Sequence, residues 1–201
     1  MTKIKTNLTV LFLLIVVALC FSSCNMKDRD IENGIVFNTY GENFIVRDIT
    51  YGAGEHVVIP SEHSGKPVTI LSDLKSYYLD SYGRYETLIL PESIERIGDD
   101  FYYNASSKLK YNEYGNGLYL GTAANPYMVL IELDITSVED FKLNKDTKII
   151  AANAFAKCTL LEDISFEGTE ADWNAIIKSA SWNGDLTINV TCSDKMITIL
   201  G

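Results

Sequence analysis

Leu90-Pro91-Glu92-Ser93-Ile94-Glu95-Arg96-Ile97-Gly98 decides how the chain reads, because it recurs. Fifty-three positions on stands Leu143-Asn144-Lys145-Asp146-Thr147-Lys148-Ile149-Ile150-Ala151, and the same offset carries Phe101 onto Ala154 and Tyr102 onto Phe155. A shorter step of 23 residues leads from Phe141-Lys142-Leu143 to Ile164-Ser165-Phe166. Working back, Val57-Val58-Ile59-Pro60 opens an earlier unit, which resumes after a Gly65-containing insertion at Val68-Thr69-Ile70-Leu71. Each unit reads as a short strand, a turn and a second apolar stretch. None could bury its apolar face alone, so the units have to stack.

The flanks fit such an array. Apolar residues alternate in Phe44-Ile45-Val46-Arg47-Asp48-Ile49 and in Leu186-Thr187-Ile188-Asn189-Val190, the pattern of half-buried strands. Residues 34 to 59 suit an N-terminal hairpin closing the open edge of the array. Val190 to Ile199 reads as a closing hairpin that turns at Ser193-Asp194. One amphipathic helix is expected near the C-terminus. Thr169-Glu170-Ala171-Asp172 is a capping-box type start, and Trp173, Ile176, Ile177 and Ala180 follow at i, i+3, i+4 and i+7. Trp173 accordingly reads as core.

Several of these stretches resemble the BspA-like, treponemal-type leucine-rich repeat proteins of Bacteroidetes-type bacteria. Their repeat of about 23 residues reads roughly Ile-Pro-x-Ser-Val-x-x-Ile-Gly-x-x-Ala-Phe-x-x-Cys-x-x-Leu. Leu90 through Gly98 is similar to its first part, and Ala154-Phe155-Ala156-Lys157-Cys158-Thr159-Leu160-Leu161 to its second. Val58-Ile59-Pro60-Ser61 onward looks like an opening repeat, and Asn112 to Ile131 resembles an insert between repeats. The resemblance spans most of residues 35 to 201. It implies a β-rich (α+β) fold, a short leucine-rich-repeat solenoid with hairpin caps and the one helix. It also makes Cys158 a small apolar rung of the ladder.

The N-terminus carries an address. Lys3 and Lys5 precede an almost unbroken apolar run from Leu8 to Phe21, too short to span a bilayer comfortably and shaped like a secretory signal. Ser22-Ser23-Cys24 resembles a bacterial lipobox, departing from it at Phe21, where Leu is commoner. That resemblance implies cleavage before Cys24 and its acylation with chains such as palmitate. Several chains anchor stably where one does not. Asn25 is not the aspartate associated with inner-membrane retention. The expected organisation is a signal peptide over 1–23, a lipidated tether over 24–33 and a repeat domain over 34–201. The expected location is the bacterial outer membrane, facing outward and held by lipid alone.

Charge narrows the partners. From Cys24 onward the chain keeps 15 of its 17 basic side chains and all 27 acids, a net charge of −12. Nucleic acid and polybasic membrane docking are thereby disfavoured. Cys158 and Cys192 remain after the signal, and they read as two buried thiols, with a single bridge as the alternative. His56 and His63, seven residues apart in a turn-rich stretch, match no zinc spacing and read as loop histidines. No Gly-x-Ser-x-Gly elbow and no Asp-x-Asp-x-Asp-Gly calcium loop occurs. The acidic pairs Asp99-Asp100, Glu139-Asp140 and Glu162-Asp163 point to opposite faces if they lie on strands, so they read as a solvated surface. Neither a metal nor a cofactor is expected, and binding rather than catalysis is.

Tyrosine offers the candidate surface. Ten of the twelve tyrosines lie between Tyr77 and Tyr127. Tyrosine presents large contact area with a polar tip and little entropy loss. Tyr77, Tyr78, Tyr82, Tyr85, Tyr103 and Tyr114 are the candidate binding residues, the first three in the stretch from Asp73 to Arg84 that interrupts the repeat. The resemblance implies a host extracellular protein or a bacterial surface protein as partner; a glycan stacked on these rings is the alternative. Oligomeric state stays open.

Overall fold

The computed structural model describes residues 30–74, 85–101, 105–134 and 137–201. The chain coils as a β-solenoid of about 5 turns with little helix. Its strands follow the repeat offsets. β1 (Asp30–Glu32), β2 (Ile35–Tyr40) and β3 (Asn43–Ile49) form an antiparallel meander. From there the pairing becomes parallel. β3 is joined by β6 (Lys66–Leu71), and β6 by β8 (Arg96–Ile97). β4 (His56–Val58) runs parallel to β7 (Thr87–Ile89) on a separate ladder. The short β5 (Glu62–His63) folds back on β6 through Ser64-Gly65, both at positive φ as a two-residue hairpin turn requires.

The second half repeats the plan. β9 (Asn112–Tyr114), β10 (Gly117–Leu120) and β11 (Val129–Leu133) form the insert, antiparallel throughout. β11 then runs parallel to β13 (Ile149–Ile150), which runs parallel to β15 (Ile177–Lys178). On the other ladder β12 (Asp140–Leu143), β14 (Asp163–Phe166) and β16 (Ile188–Thr191) are parallel neighbours, and β17 (Met196–Ile199) closes the row antiparallel. The 23-residue step is visible as register: Phe141 pairs with Ile164, Lys142 with Ser165 and Leu143 with Phe166. The 53-residue step carries β7 onto β12 and β8 onto β13.

Apolar side chains collect into two clusters. One holds Phe37, Val46, Leu71, Leu90, Ile97 and their neighbours; the other holds Leu143, Phe155, Ile164, Trp173 and Val190 with theirs. β11 stands between them. Its Val129 and Ile131 join the first cluster, and its Leu130 and Leu133 the second. Val129, Leu130 and Ile131 alternate between the cores because successive side chains point opposite ways, and the register shift opposite Leu118/Tyr119 returns Leu133 to the second. Gly98 marks a close approach of turns: a Cβ there would strike Ser72 and Asp73. Its N–H donates to the Leu71 carbonyl at 2.7 Å.

The helix is shorter than the periodicity predicts. α1 (Glu170–Ala175) starts with the expected capping box, Thr169 and Asp172 satisfying one another's backbone N–H groups. Ile176 then turns extended (φ −64°, ψ 126°), and Ile177 enters β15 with 46% of its surface exposed. The parallel partner Ile149–Ile150 overrides the local helical pattern at the point where the ladder needs its next rung. Trp173 is buried as the sequence indicates. A second difference lies at the other end, where Asp30–Glu32, assigned by sequence to the tether, pairs as strand with β2.

Candidate functional site

The outward side of β12, β14, β16 and β17 presents two polar rows. Alternation buries Phe141, Leu143, Ile164, Phe166, Ile188 and Val190, so the residues between them must face out. Register aligns Asp140, Asp163, Asn189 and Thr198 in one row, and Lys142, Ser165, Thr191 and Met196 in the other. The Thr198 hydroxyl donates to Asn189 Oδ1 at 3.0 Å. Lys142 is held by Glu167 at 2.6 Å. Asp140 and Asp163 sit side by side on neighbouring parallel strands, a like-charge pairing that disfavours the sheet. Sequence reasoning placed Asp140 and Asp163 on a solvated surface but assigned this face no binding role. The signal was nevertheless present, in the polar residues interleaved with each apolar repeat.

The tyrosines fare differently. Tyr77, Tyr78, Tyr82 and Tyr103 lie outside the described residues, as does the lipidation candidate Cys24. Tyr85 is 2% exposed, and its hydroxyl accepts the Ser106 N–H at 3.3 Å. Burial pushes its phenol up to about 12. This corrects the expectation that it contacts a partner: Tyr85 is sealed in the first core cluster. Tyr114 is half-buried and packs on Tyr127 at 5.5 Å, and Tyr127 packs edge-on against the buried Tyr119 at 5.6 Å. Beside this stack a cavity of about 300 Å³ opens between Glu113, Tyr114, Asn116, Leu118 and Asp134.

Neither cysteine offers a nucleophile. Cys158 and Cys192 are buried and not joined by a disulfide, which favours the two-thiol reading. Burial pushes both thiols up, with the Glu132 carboxylate adding to it at Cys158 and Asp194 at Cys192. A reactive cysteine needs the opposite shift. Lys178 lies over the Trp173 ring at 4.5 Å and donates to the Trp173 and Ile176 carbonyls at 2.6 and 2.9 Å. It therefore closes the C-terminus of α1, where a cation suits the unpaired carbonyls. Burial still pushes it down to about 8. Among the described residues no group of three His, Cys, Asp or Glu side chains comes together that could hold a metal ion.

His63 corrects the loop-histidine reading. It lies on β5 and is 5% exposed, stacked flat on Phe37 with centroids 4.1 Å apart and edge-on to Phe44 at 4.8 Å. Its ring nitrogens meet carboxylates on β1, Nε2 with Asp30 and Nδ1 with Glu32, each at 2.8 Å. His56, by contrast, is exposed and meets the Thr87 hydroxyl at 3.0 Å.

Comparison with known proteins meets leucine-rich repeat proteins. No family model and no curated protein matches the chain. Among solved structures it is similar to a leucine rich cell surface protein of Faecalibacterium prausnitzii, at 12% identity and TM-score 0.39, over 85% of this chain and 56% of that one. It is similar also to a leucine rich repeat protein of T. pallidum, at 16% identity and TM-score 0.38, over 76% of this chain and 81% of that one. A third is the pneumococcal vaccine antigen PcpA, at 16% identity and TM-score 0.35, over 83% of this chain and 50% of that one. The chain thus spans little more than half of the Faecalibacterium protein and half of PcpA. No helix among the described residues is long and apolar enough to cross a membrane.

Proposed function

We propose that the chain is an exported lipoprotein, anchored through Cys24 in the outer membrane and facing outward, whose solenoid binds protein at the cell surface without catalysis. The observation that carries this reading is the outward polar face of β12, β14, β16 and β17. Its rows are fixed in register by the buried rungs beneath, so a partner meets a rigid, preorganised surface. The adjacent Asp140 and Asp163 favour a basic patch on that partner, which relieves their repulsion. Host extracellular proteins and proteins of neighbouring bacteria are both partners of this kind. Many anchored copies acting together raise the avidity of a modest single contact.

The test compares cells carrying the wild-type chain, a deletion and Asp163→Lys. Wild-type cells bind immobilised extracellular-matrix proteins or partner bacteria, and the deletion and the charge reversal both lose most of that binding. Equal binding by all three overturns the reading. Protease shaving of intact cells checks the outward orientation, and fatty-acid labelling lost in Cys24→Ser checks the anchor.

A second reading, glycan binding, is favoured by the Tyr114–Tyr127 stack beside the open cavity with Glu113, Asn116 and Asp134 as acceptors. Sugar rings stack on such faces while their hydroxyls donate to carboxylates. Glycan-array signal that free sugar competes away and Tyr114→Ala abolishes supports it.

A further inference from the structure

We infer that His63 is a proton-operated clasp that fastens the first strand, β1, to the solenoid. Little else among the described residues holds that strand. All three residues of β1 are exposed, Ile31 at 55%, so burial contributes little to its docking. Among the described residues, what remains is the ladder to β2, with Asp30 opposite Phe37, Ile31 opposite Val36 and Glu32 opposite Ile35, together with the two contacts to His63.

Those two contacts demand a particular protonation state. A neutral imidazole donates from one nitrogen and offers a lone pair at the other; only imidazolium donates from both. With carboxylate oxygens 2.8 Å from each nitrogen, the neutral ring sets a lone pair against one of them. The charged ring satisfies both. Phe37 and Phe44 wall the ring with apolar surface, which keeps water from replacing the lost donor. The other charges nearby are Lys66, opposite His63 in the hairpin, and Glu42, which Lys66 meets at 3.3 Å. Glu62 precedes His63 on the same strand and is exposed. A protonated ring therefore closes the clasp, and loss of that proton opens it.

The consequence concerns reach. Asp30 stands six residues after Cys24. Where Cys24 is the anchor, as the proposed function has it, release of residues 30–34 lengthens the tether by roughly 16 Å at full extension. The clasp itself does not depend on that anchor.

Amide exchange corrected for intrinsic rates tests the clasp on the full mature chain. Protection of the Asp30–Glu32 and Ile35–Phe37 amides falls at least about tenfold between about pH 5.5 and about pH 8.5. The His63 side-chain ¹⁵N shifts show both nitrogens protonated at the lower pH. His63→Gln lowers protection at the lower pH to the level the wild type reaches at the higher one, and removes the pH response. Because that change touches the core, the exposed pair Asp30→Asn with Glu32→Gln serves as a second variant and also flattens the response. Amide protection of β3, β6 and β8 reports that the rest of the first half stays folded, and the fluorescence of Trp173 and Trp182 reports the same for the second. Unchanged β1 protection across this range in the wild type overturns the inference, as does a wild-type response surviving in either variant. Acyl labelling of Cys24 is read separately, so a failed anchor and a failed clasp are distinguishable.

Discussion

Phe155→Ala separates the two halves of the solenoid. Phe155 is fully buried in the second cluster, with its ring 5.6 Å from both Phe141 and Trp182. Removing such a ring costs roughly 3–5 kcal/mol in lost transfer energy and residual cavity. With a urea m-value of about 2 kcal/mol/M, the midpoint of that half falls by about 2 M. Both tryptophans of the chain, Trp173 and Trp182, belong to or pack on this cluster, so fluorescence reports the second half alone. Far-UV circular dichroism reports both halves. In a stack where each unit contacts chiefly its neighbours, the first cluster keeps most of its own stability. The expected result is a fluorescence transition displaced by about 2 M and a dichroism curve split into two steps. Coincident displacement of both probes would refute the reasoning, since β11 would then weld the cores into one cooperative unit. A displacement under about 0.5 M would show that the site refills and that the burial of Phe155 is worth less than its geometry implies.

The other expectations are narrower. Thr169→Ala removes the oxygen that accepts the Asp172 N–H, and it lowers stability by about 1 kcal/mol in urea melts followed by tryptophan fluorescence. Asp172 is held below its ordinary value by the Thr169 backbone N–H and hydroxyl. Its share of stability is therefore present at neutral pH and lost as pH falls through that lowered value, a loss that Asp172→Asn makes pH-independent. Lys178 binds its proton less tightly folded than unfolded, so unfolding free energy rises as pH climbs from about 8 toward 10.5. Tyr85 acts the other way, since its phenol ionises later in the fold; stability falls from about pH 10 to about 12, and Tyr85→Phe flattens that descent. Cys158 and Cys192 escape alkylation in the native chain and react in urea, which peptide mapping by mass spectrometry resolves from Cys24.

The ladder was legible because it is written in alternation. Phe141 and Leu143 recur as Ile164 and Phe166 with polar residues between, and the strands pair in that register. Trp173 was legible for the same reason, as the apolar residue behind a capping box. Ile177 was not, because its local helical spacing agrees with its neighbours and only a strand 28 positions earlier, Ile149–Ile150, makes it extended. Tyr85 was misread because clustering of tyrosines in sequence says nothing about depth; its ring enters the core just ahead of β7. His63 was the least legible of all. Its partners stand 33 and 31 positions upstream, in a polar stretch whose composition reads as linker.

The same division between rung and face is why the proposed binding role falls on the outward residues. Inward residues such as Leu143, Ile164 and Val190 fix the strand register, while Lys142, Asp163 and Thr191 add little to the core and remain free to vary. Asp140 beside Asp163 shows the consequence. A repulsion that would be purged from a core persists on the outward face, where its energetic effect is small and screened by water. Asp140→Asn therefore leaves stability unchanged or slightly raised in urea melts. If a basic partner docks there, the same substitution weakens capture of that partner and flattens its dependence on salt. Opposite signs for stability and binding at one residue are what a recognition surface produces; a position that serves only the fold loses both together.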